Sequence, residues 1–125
     1  MDKREGKFIL WFDEVGKDDV HLVGGKNANL GEMYQNLTKA ESQLFPDEKI
    51  SVPYGFAVTA ECYRYFITEN NLDDKIRQAL KGLDTHDIKQ LEEVGLKVRG
   101  LILDAKFPEG LEKEIRGAFE ELGKS

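Results

Sequence analysis

Two adjacent glycines followed by a lysine, Gly24, Gly25 and Lys26, are the residues whose chemistry stands out. Glycine adopts positive φ angles and lets a backbone approach a ligand closely. They precede a stretch with helical spacing, and a helix start offers unpaired N–H groups and about half a positive charge to an anion. Lys26 would add a full charge at that point. The spacing therefore indicates a phosphate-binding site.

The same stretch does not fit the two common glycine-rich phosphate motifs. In a Walker A loop, Val20 would stand at the first glycine and Asn27 at the magnesium-binding Ser or Thr. The dinucleotide motif GxGxxG does not fit this stretch either. Residue chemistry also leaves an alternative open, because a Gly-Gly pair is a common turn and a lysine after it is usually only solvated.

Composition limits the classes of function. The 125 residues are 40% hydrophobic and 34% charged, which predicts one modest domain with a small core. The net charge is −6, with basic residues scattered among acids, so we expect no nucleic-acid partner. Cys62 is the single cysteine and excludes an internal disulfide. Without a long apolar run or a signal-peptide pattern, we expect a cytoplasmic protein with no membrane partner.

Two β-rich stretches flank the glycines. Residues 8–12 form a continuous apolar run, which is typical of a strand buried on both faces. Residues 54–58 alternate and follow Pro53, which predicts a strand start or a sheet edge. We expect the two strands to lie side by side. Residues 1–7 are charged and without periodicity, and are predicted to be a disordered lead-in.

The glycines are followed by helical spacing. A helix is predicted to open at Lys26 or Asn27 and to end near Asn36. Gly31 lies inside it at a cost of roughly 1 kcal/mol against alanine, which makes sense if another backbone passes close to it. Residues 38–49 are polar and are predicted to form a surface loop.

Four further helices are predicted after residue 58, and we expect them to form one packed layer. Thr59 is expected to cap the first, and Asp84-Thr85 the third. The expected apolar stripe of the first is Tyr63, Phe66 and Ile67. The expected stripe of the last, after Pro108, is Leu111, Ile115, Phe119 and Leu122. The predicted fold is α+β, rich in helices, with a small sheet.

Three blocks resemble a known family in their order and spacing. They are Leu10-Trp11-Phe12, residues 23–33 (VGGKNANLGEM) and residues 51–59 (SVPYGFAVT). Together they resemble the amino-terminal segment of the phosphoenolpyruvate synthase (pyruvate, water dikinase) family, whose members are related to pyruvate phosphate dikinase. The resemblance covers nearly all of residues 8–122, although residues 38–49 are longer than the family's pattern.

The resemblance implies an ATP site. In that family the GGK block belongs to an ATP-grasp nucleotide-binding domain, and its lysine contacts ATP phosphates. Residues 8–125 are then expected to be a partial nucleotide-binding domain, the first lobe of an ATP-grasp-like domain. The expected cofactor is ATP, and the expected contacts to its phosphates come from Gly24, Gly25, Lys26 and Asn27.

The resemblance also implies partners outside these residues. The family's Mg²⁺ ligands and phosphohistidine domain match nothing here, so no catalytic or metal-binding residue is expected in this chain. His21 and His86 match no motif, and Cys62 is expected to be an inert buried thiol. The intact enzyme would convert pyruvate, ATP and water to phosphoenolpyruvate, AMP and phosphate, and this segment alone would be inactive. An excised or truncated lobe of that enzyme and a stand-alone, non-catalytic binding or regulatory module both remain open.

Overall fold

The computed structural model describes residues 2–39 and 51–124. Most of the predicted loop 38–49 lies outside the described residues. Two compact units divide the chain. The sheet unit comprises Met1–Tyr63 and Glu109–Ser125, and the hairpin unit comprises Arg64–Pro108.

The sheet has two antiparallel strands, β1 (Ile9–Trp11) and β2 (Phe56–Val58), with Leu10 opposite Ala57. This pairing confirms that the two β-rich stretches lie side by side, although each strand is shorter than predicted. The prediction that β1 is buried on both faces is wrong, because Leu10 is buried and its neighbours are half-buried. Alternate side chains of a strand point to opposite faces, and here only the Leu10 face meets the core.

The helix that carries the glycines, α1, spans Val20–Met33 and continues as a π-helical segment, Tyr34–Lys39. The predicted start at Lys26 or Asn27 misses the short helical piece before the glycines, and the predicted end near Asn36 falls inside the π-helical segment. The helix starts early because the Asp19 carbonyl accepts the N–H groups of Leu22 and Val23 at 2.9 and 3.1 Å. The single helical turn before the glycines leaves no signal in the hydrophobic pattern.

A small core joins β1, β2 and α1. It is made of side chains that are almost completely buried, namely Leu10, Val15, Val23, Ala28 and Ala57. Burial of each large aliphatic side chain contributes about 1.5–3 kcal/mol. The core therefore holds α1 on both sides of its glycine pair.

Two more helices belong wholly or partly to the sheet unit. Thr59 caps α2 (Ala60–Glu69) as predicted, since its Oγ1 accepts the Cys62 N–H at 3.2 Å. α5 (Glu109–Leu122) packs against β1. Two expected stripe residues are exposed instead, Tyr63 and Phe119, because regular spacing marks a helix but not the width of its covered face.

The hairpin unit contains α3 (Leu72–Leu80) packed on α4 (Ile88–Leu103). The predicted cap of α4 at Asp84-Thr85 is wrong. Asp87 is the cap and accepts the Gln90 N–H at 3.1 Å, whereas Asp84 accepts the His86 N–H in a tight turn. The expected single layer of four helices is also wrong, because α5 packs against β1 in the other unit.

The predicted fold class is confirmed. Five α-helices and one two-stranded sheet make up the regular structure of the described residues, with one π-helical segment besides. None of the described helices is both long and apolar enough to cross a membrane.

Candidate phosphate-binding site

A break interrupts α1 at the glycine pair. Gly24 has φ 80° and ψ 160°, a conformation inside neither helix nor strand for an L-residue. Essentially only glycine adopts this region, and other residues pay of order 1–3 kcal/mol for such strain. α1 is thus two helical pieces, and the second piece restarts at Gly25. The predicted start at Lys26 or Asn27 falls within this restart.

The break exposes three residues between two buried ones. Val23 and Ala28 are buried in the core, whereas Gly24, Gly25 and Lys26 are exposed. A Cβ atom added at either glycine would meet no atom within 4 Å. The first N–H groups of a helical segment lack an acceptor in the preceding turn. The start of the second helical piece and the Lys26 side chain are therefore both exposed to solvent, and no side chain covers the backbone of the two glycines.

Asn27 has a structural bond at this point. Its side-chain Nδ2 donates to the Val23 carbonyl at 3.0 Å. That carbonyl ends the first helical piece, and the last carbonyls of a helix need a partner from outside it. The Asn27 side chain therefore stabilises the break.

The loop before α1 is held from the second helical piece. The Glu32 carboxylate accepts the Lys17 N–H at 3.0 Å. Gln35, in the π-helical segment, donates to the carbonyls of Phe12 and Val15 at 3.2 and 2.6 Å. These side-chain bonds fix a loop that has no regular structure of its own.

Gly31 explains the close approach of that loop. A Cβ at Gly31 would lie 2.7 Å from Val15 Cγ2 and closer still to the Val15 carbonyl oxygen. The expectation that another backbone passes Gly31 is confirmed, and the passing segment is the loop after β1. No larger residue fits without moving that loop.

Arg4 fixes the start of α1. Its guanidinium bonds both Asp19 carboxylate oxygens at 2.8 Å and the Glu14 carbonyl at 2.7 Å. The Asp19 carboxylate also accepts the Gly16 N–H at 2.8 Å. The Arg4 guanidinium, before all other causes, lowers the pKa of Asp19. Arg4 thus has fixed partners, and disorder of residues 1–7 remains a prediction for the rest of that stretch.

An aromatic cluster lies beside the loop. Trp11 stacks on Tyr54 with ring centroids 5.2 Å apart, and Tyr54 meets Tyr34 at 5.0 Å. Trp11 also makes an edge contact with Phe56 at 5.4 Å. Burial raises the pKa of Tyr54, and its hydroxyl donates to Asp13 at 3.1 Å. The cluster ties β1, β2 and the helix end together.

Cys62, His21 and His86 are not among the predicted phosphate contacts. Cys62 is buried, and burial, followed by the nearby Glu114, raises the pKa of its thiol. His21 is exposed on the first turn of α1, and His86 is exposed ahead of α4. Across residues 2–39 and 51–124, no group of three or more His, Cys, Asp or Glu residues is arranged to hold a metal ion.

The predicted site residues are therefore contiguous at one break, and three others that shape it were missed. Arg4, Glu32 and Gln35 act through polar bonds to groups distant in sequence. The cap-like position of Asp19 before α1 was the one available signal for the early helix start. No spacing rule identifies the others.

Comparison with known proteins gives a consistent result. Residues 20–125 match the family model described as pyruvate phosphate dikinase, AMP/ATP-binding domain. Over 121 residues the chain is 48% identical to the probable phosphoenolpyruvate synthase of Staphylothermus marinus, covering 97% of this chain and 13% of that protein. These matches confirm the resemblance predicted from the sequence blocks.

Two further relatives agree. Identity to the phosphoenolpyruvate synthase of Synechocystis is 47% over 116 residues, which is 93% of this chain and 13% of the relative. Identity to the Escherichia coli phosphoenolpyruvate synthase is 38% over 114 residues, which is 91% of this chain and again 13% of the relative. The chain therefore spans only a small part of the length of the relatives it matches.

Proposed function

Because the chain belongs to the family of the pyruvate phosphate dikinase AMP/ATP-binding domain, we propose that Gly24, Gly25, Lys26 and Asn27 bind the phosphates of ATP. The observation that carries the proposal is the break at Gly24. It restarts a helix beside an exposed lysine, in a conformation that favours glycine.

Each residue has a separate task in this proposal. The glycines leave open space where a Cβ would otherwise stand, so a phosphate reaches the backbone. The main-chain N–H groups of Gly25, Lys26 and Asn27 donate to phosphate oxygens with the helix dipole behind them. The Lys26 ammonium adds a charge-assisted contact. The Asn27 side chain keeps its bond to Val23 and holds the shape of the site.

A longer protein would complete the site. We propose that residues 8–125 are part of a nucleotide-binding domain, the first lobe of an ATP-grasp-like fold, and that other lobes close over the triphosphate. A separate phosphohistidine domain would then carry phosphate in the conversion of pyruvate, ATP and water to phosphoenolpyruvate, AMP and phosphate. We place this reaction in the cytoplasm.

Magnesium is expected in the longer enzyme, but the residues described here do not fit it. No group of three acidic, His or Cys side chains in this part of the chain is arranged as a metal site. Two acidic residues near the break along the chain already have partners, since Asp19 bonds Arg4 and Glu32 accepts the Lys17 N–H. The proposal therefore involves no metal-dependent step at these residues.

The test is Lys26→Met, with ATP binding followed by amide chemical shifts. One charge-assisted bond contributes roughly 1.5–3 kcal/mol, so the isolated chain should bind ATP weakly, at around millimolar Kd. We expect Lys26→Met to weaken binding by about tenfold or more. Lys97→Met, an exposed lysine of α4, is the matched control. Equal ATP affinity in both variants would make the glycine-lysine stretch a structural turn.

A second candidate is a stand-alone binding or regulatory module without catalysis. The observation that favours it is α4, in which no residue is buried and Ile88, Leu96 and Leu103 are largely exposed. Exposed apolar residues grouped on a surface mark interaction sites. On this reading the chain turns over no ATP and its role is to bind a partner, so a loss of ATP affinity in Lys26→Met favours the first candidate. Neither predicts pyruvate-dependent AMP formation by the isolated chain, and detecting it would contradict both.

A further inference from the structure

The two helical pieces of α1 are anchored by different contacts. The second piece is held by the loop after β1, through Gly31 against Val15 and Glu32 against the Lys17 N–H. Its buried residue Ala28 also lies in the core. These contacts fix the direction of the second piece from Gly25 onward.

The first piece, Val20–Val23, depends on Asp19. The Asp19 carbonyl closes its first turns by accepting the Leu22 and Val23 N–H groups. The position of Asp19 is set in turn by Arg4, which bonds both carboxylate oxygens, and by the Gly16 N–H. Arg4 itself is fixed to the Glu14 carbonyl at 2.7 Å. The first piece is therefore held in the core by Val23 and, at its start, by the Arg4–Asp19 pair.

An unbroken helix would be the competing conformation. In it the N–H groups of Gly25, Lys26 and Asn27 would donate to the carbonyls of the residues four positions earlier. Those carbonyls belong to His21, Leu22 and Val23. The same amides would then be unavailable to a phosphate, and the Asn27 side chain would lose its acceptor.

We propose that Arg4 is a positioning residue for the phosphate site. Through Asp19 it holds the first piece of α1 out of line with the second, and so keeps the helix broken at Gly24 and the amides of Gly25–Asn27 open. The inference rests on the proposed function for the identity of the ligand. The conformational part, that Arg4 maintains the break, stands on the contacts alone.

Bidentate geometry makes Arg4 specific for this task. Its planar guanidinium bonds both carboxylate oxygens of Asp19, the Glu14 carbonyl and the Asp2 carboxylate, a set that a lysine ammonium on a flexible stem cannot reproduce. Exposure of the Arg4 and Asp19 side chains is 28% and 13%. The pair is thus partly shielded from solvent, which favours one fixed arrangement of the two side chains.

The experiment compares Arg4→Met and Arg4→Lys with Arg77→Met in the full 125-residue chain. Arg77 pairs with Asp73 at the same 2.8 Å, but on the exposed surface of α3. Two signals are followed, the backbone chemical shifts of Gly24 without ligand and the shifts of the Gly25–Asn27 amides during titration with ATP. The first reports the break and the second reports phosphate binding.

We expect Arg4→Met to move the Gly24 Cα and amide shifts toward helical values and to weaken ATP binding about five- to tenfold. Arg4→Lys should give an intermediate change in both signals, and Arg77→Met should change neither. If Arg4→Met fails to fold, Arg4→Lys carries the same comparison with the expected intermediate change.

Three outcomes would overturn the inference. Unchanged Gly24 shifts in Arg4→Met would show that Arg4 does not maintain the break. Changed Gly24 shifts with unchanged ATP affinity would show that the break does not govern binding, and equal losses in Arg77→Met would show a general effect. If the wild-type chain binds no ATP, the proposed function fails separately, and the Gly24 shifts still decide whether Arg4 holds the break.

Discussion

Two arginine–aspartate ion pairs, one in each unit, have the same N–O distance but differ in solvent exposure and in their other bonds. Arg4–Asp19 in the sheet unit and Arg77–Asp73 in the hairpin unit both measure 2.8 Å. The first pair is 28% and 13% exposed, and its partners also bond backbone groups, whereas the second is 75% and 64% exposed. Distance alone therefore says little about what an ion pair does.

The same contrast holds for apolar side chains. The sheet unit buries Leu10 and Val15 almost completely, whereas no residue of α4 in the hairpin unit is buried. Polar bonds and buried side chains converge on the loop and on α1 in the sheet unit. That convergence fixes the break at Gly24, in a conformation that glycine adopts readily and other residues do not.

The largest expected effect tests the difference in burial. Leu10→Ala removes a fully buried side chain from the core and should lower the free energy of unfolding by about 3 kcal/mol. Leu96→Ala, at a residue of α4 that is 65% exposed, should change it by less than about 0.5 kcal/mol. Urea unfolding of both variants measures this. Similar losses would mean that α4 is covered as well as β1 is.

A second comparison uses two helical glycines. Gly31→Ala would force a Cβ against Val15 and should cost about 2 kcal/mol after the gain in helix propensity. At Gly100 in α4, an added Cβ meets no atom within 4 Å. Gly100→Ala should therefore raise the free energy of unfolding by about 0.5–1 kcal/mol. Thermal unfolding is the measurement, and a stabilising Gly31→Ala would contradict the close approach of the loop.

Helix caps offer a smaller contrast. Thr59 is buried, caps α2 and also donates to the Lys7 carbonyl at 2.6 Å, so Thr59→Ala should cost about 1.5 kcal/mol. Asp87 caps α4 in an exposed position, and Asp87→Ala should cost about 0.5–1 kcal/mol. Urea unfolding decides the order, and a costlier Asp87→Ala would reverse the comparison.

The smallest effect expected is a pH dependence. Hydrogen bonds from Arg4 lower the pKa of Asp19 and lower that of Asp2 to about 2. A carboxylate with a lowered pKa stabilises the folded state above its unfolded pKa of about 3.9, and this stabilisation is lost as the pH falls through the folded value.

Wild-type stability should therefore decline between about pH 4 and pH 2 more steeply than that of Arg4→Met. Arg77→Met should keep the wild-type slope if the pair on α3 is only a surface pair. Unfolding free energies measured at several pH values give the slopes. Equal slopes for wild type and Arg4→Met would show that the Arg4–Asp19 pair does not contribute to the pH dependence of stability.

Sequence predicted the fold class because that class leaves local signals, and it placed the candidate site at the glycine pair, where the structure has a break. The pairing of β1 with β2, the Thr59 cap and the close approach at Gly31 follow from residue type and spacing. The break at Gly24 has only a partial signal, since a glycine pair permits a positive φ without requiring it. What requires it is the pair of anchors on either side.

The missed features depend on distant partners. Arg4 looked like part of a charged lead-in, and its bond to Asp19 spans 15 positions. Gln35 bonds carbonyls 20 and 23 positions earlier. Tyr63 and Phe119 have helical spacing but lie on exposed faces, because periodicity gives no information about what covers a helix. Such contacts are properties of the tertiary structure.

One titration decides whether the break in α1 binds phosphate. The wild-type chain is titrated in parallel with ATP, inorganic tripolyphosphate and adenosine while backbone amide shifts are recorded. We expect ATP and tripolyphosphate to shift the amides of Gly24, Gly25, Lys26 and Asn27 most, and adenosine to leave them unchanged. If ATP instead shifts amides around Trp11 and Tyr54 or in the hairpin unit while these four stay fixed, the break is not the phosphate site.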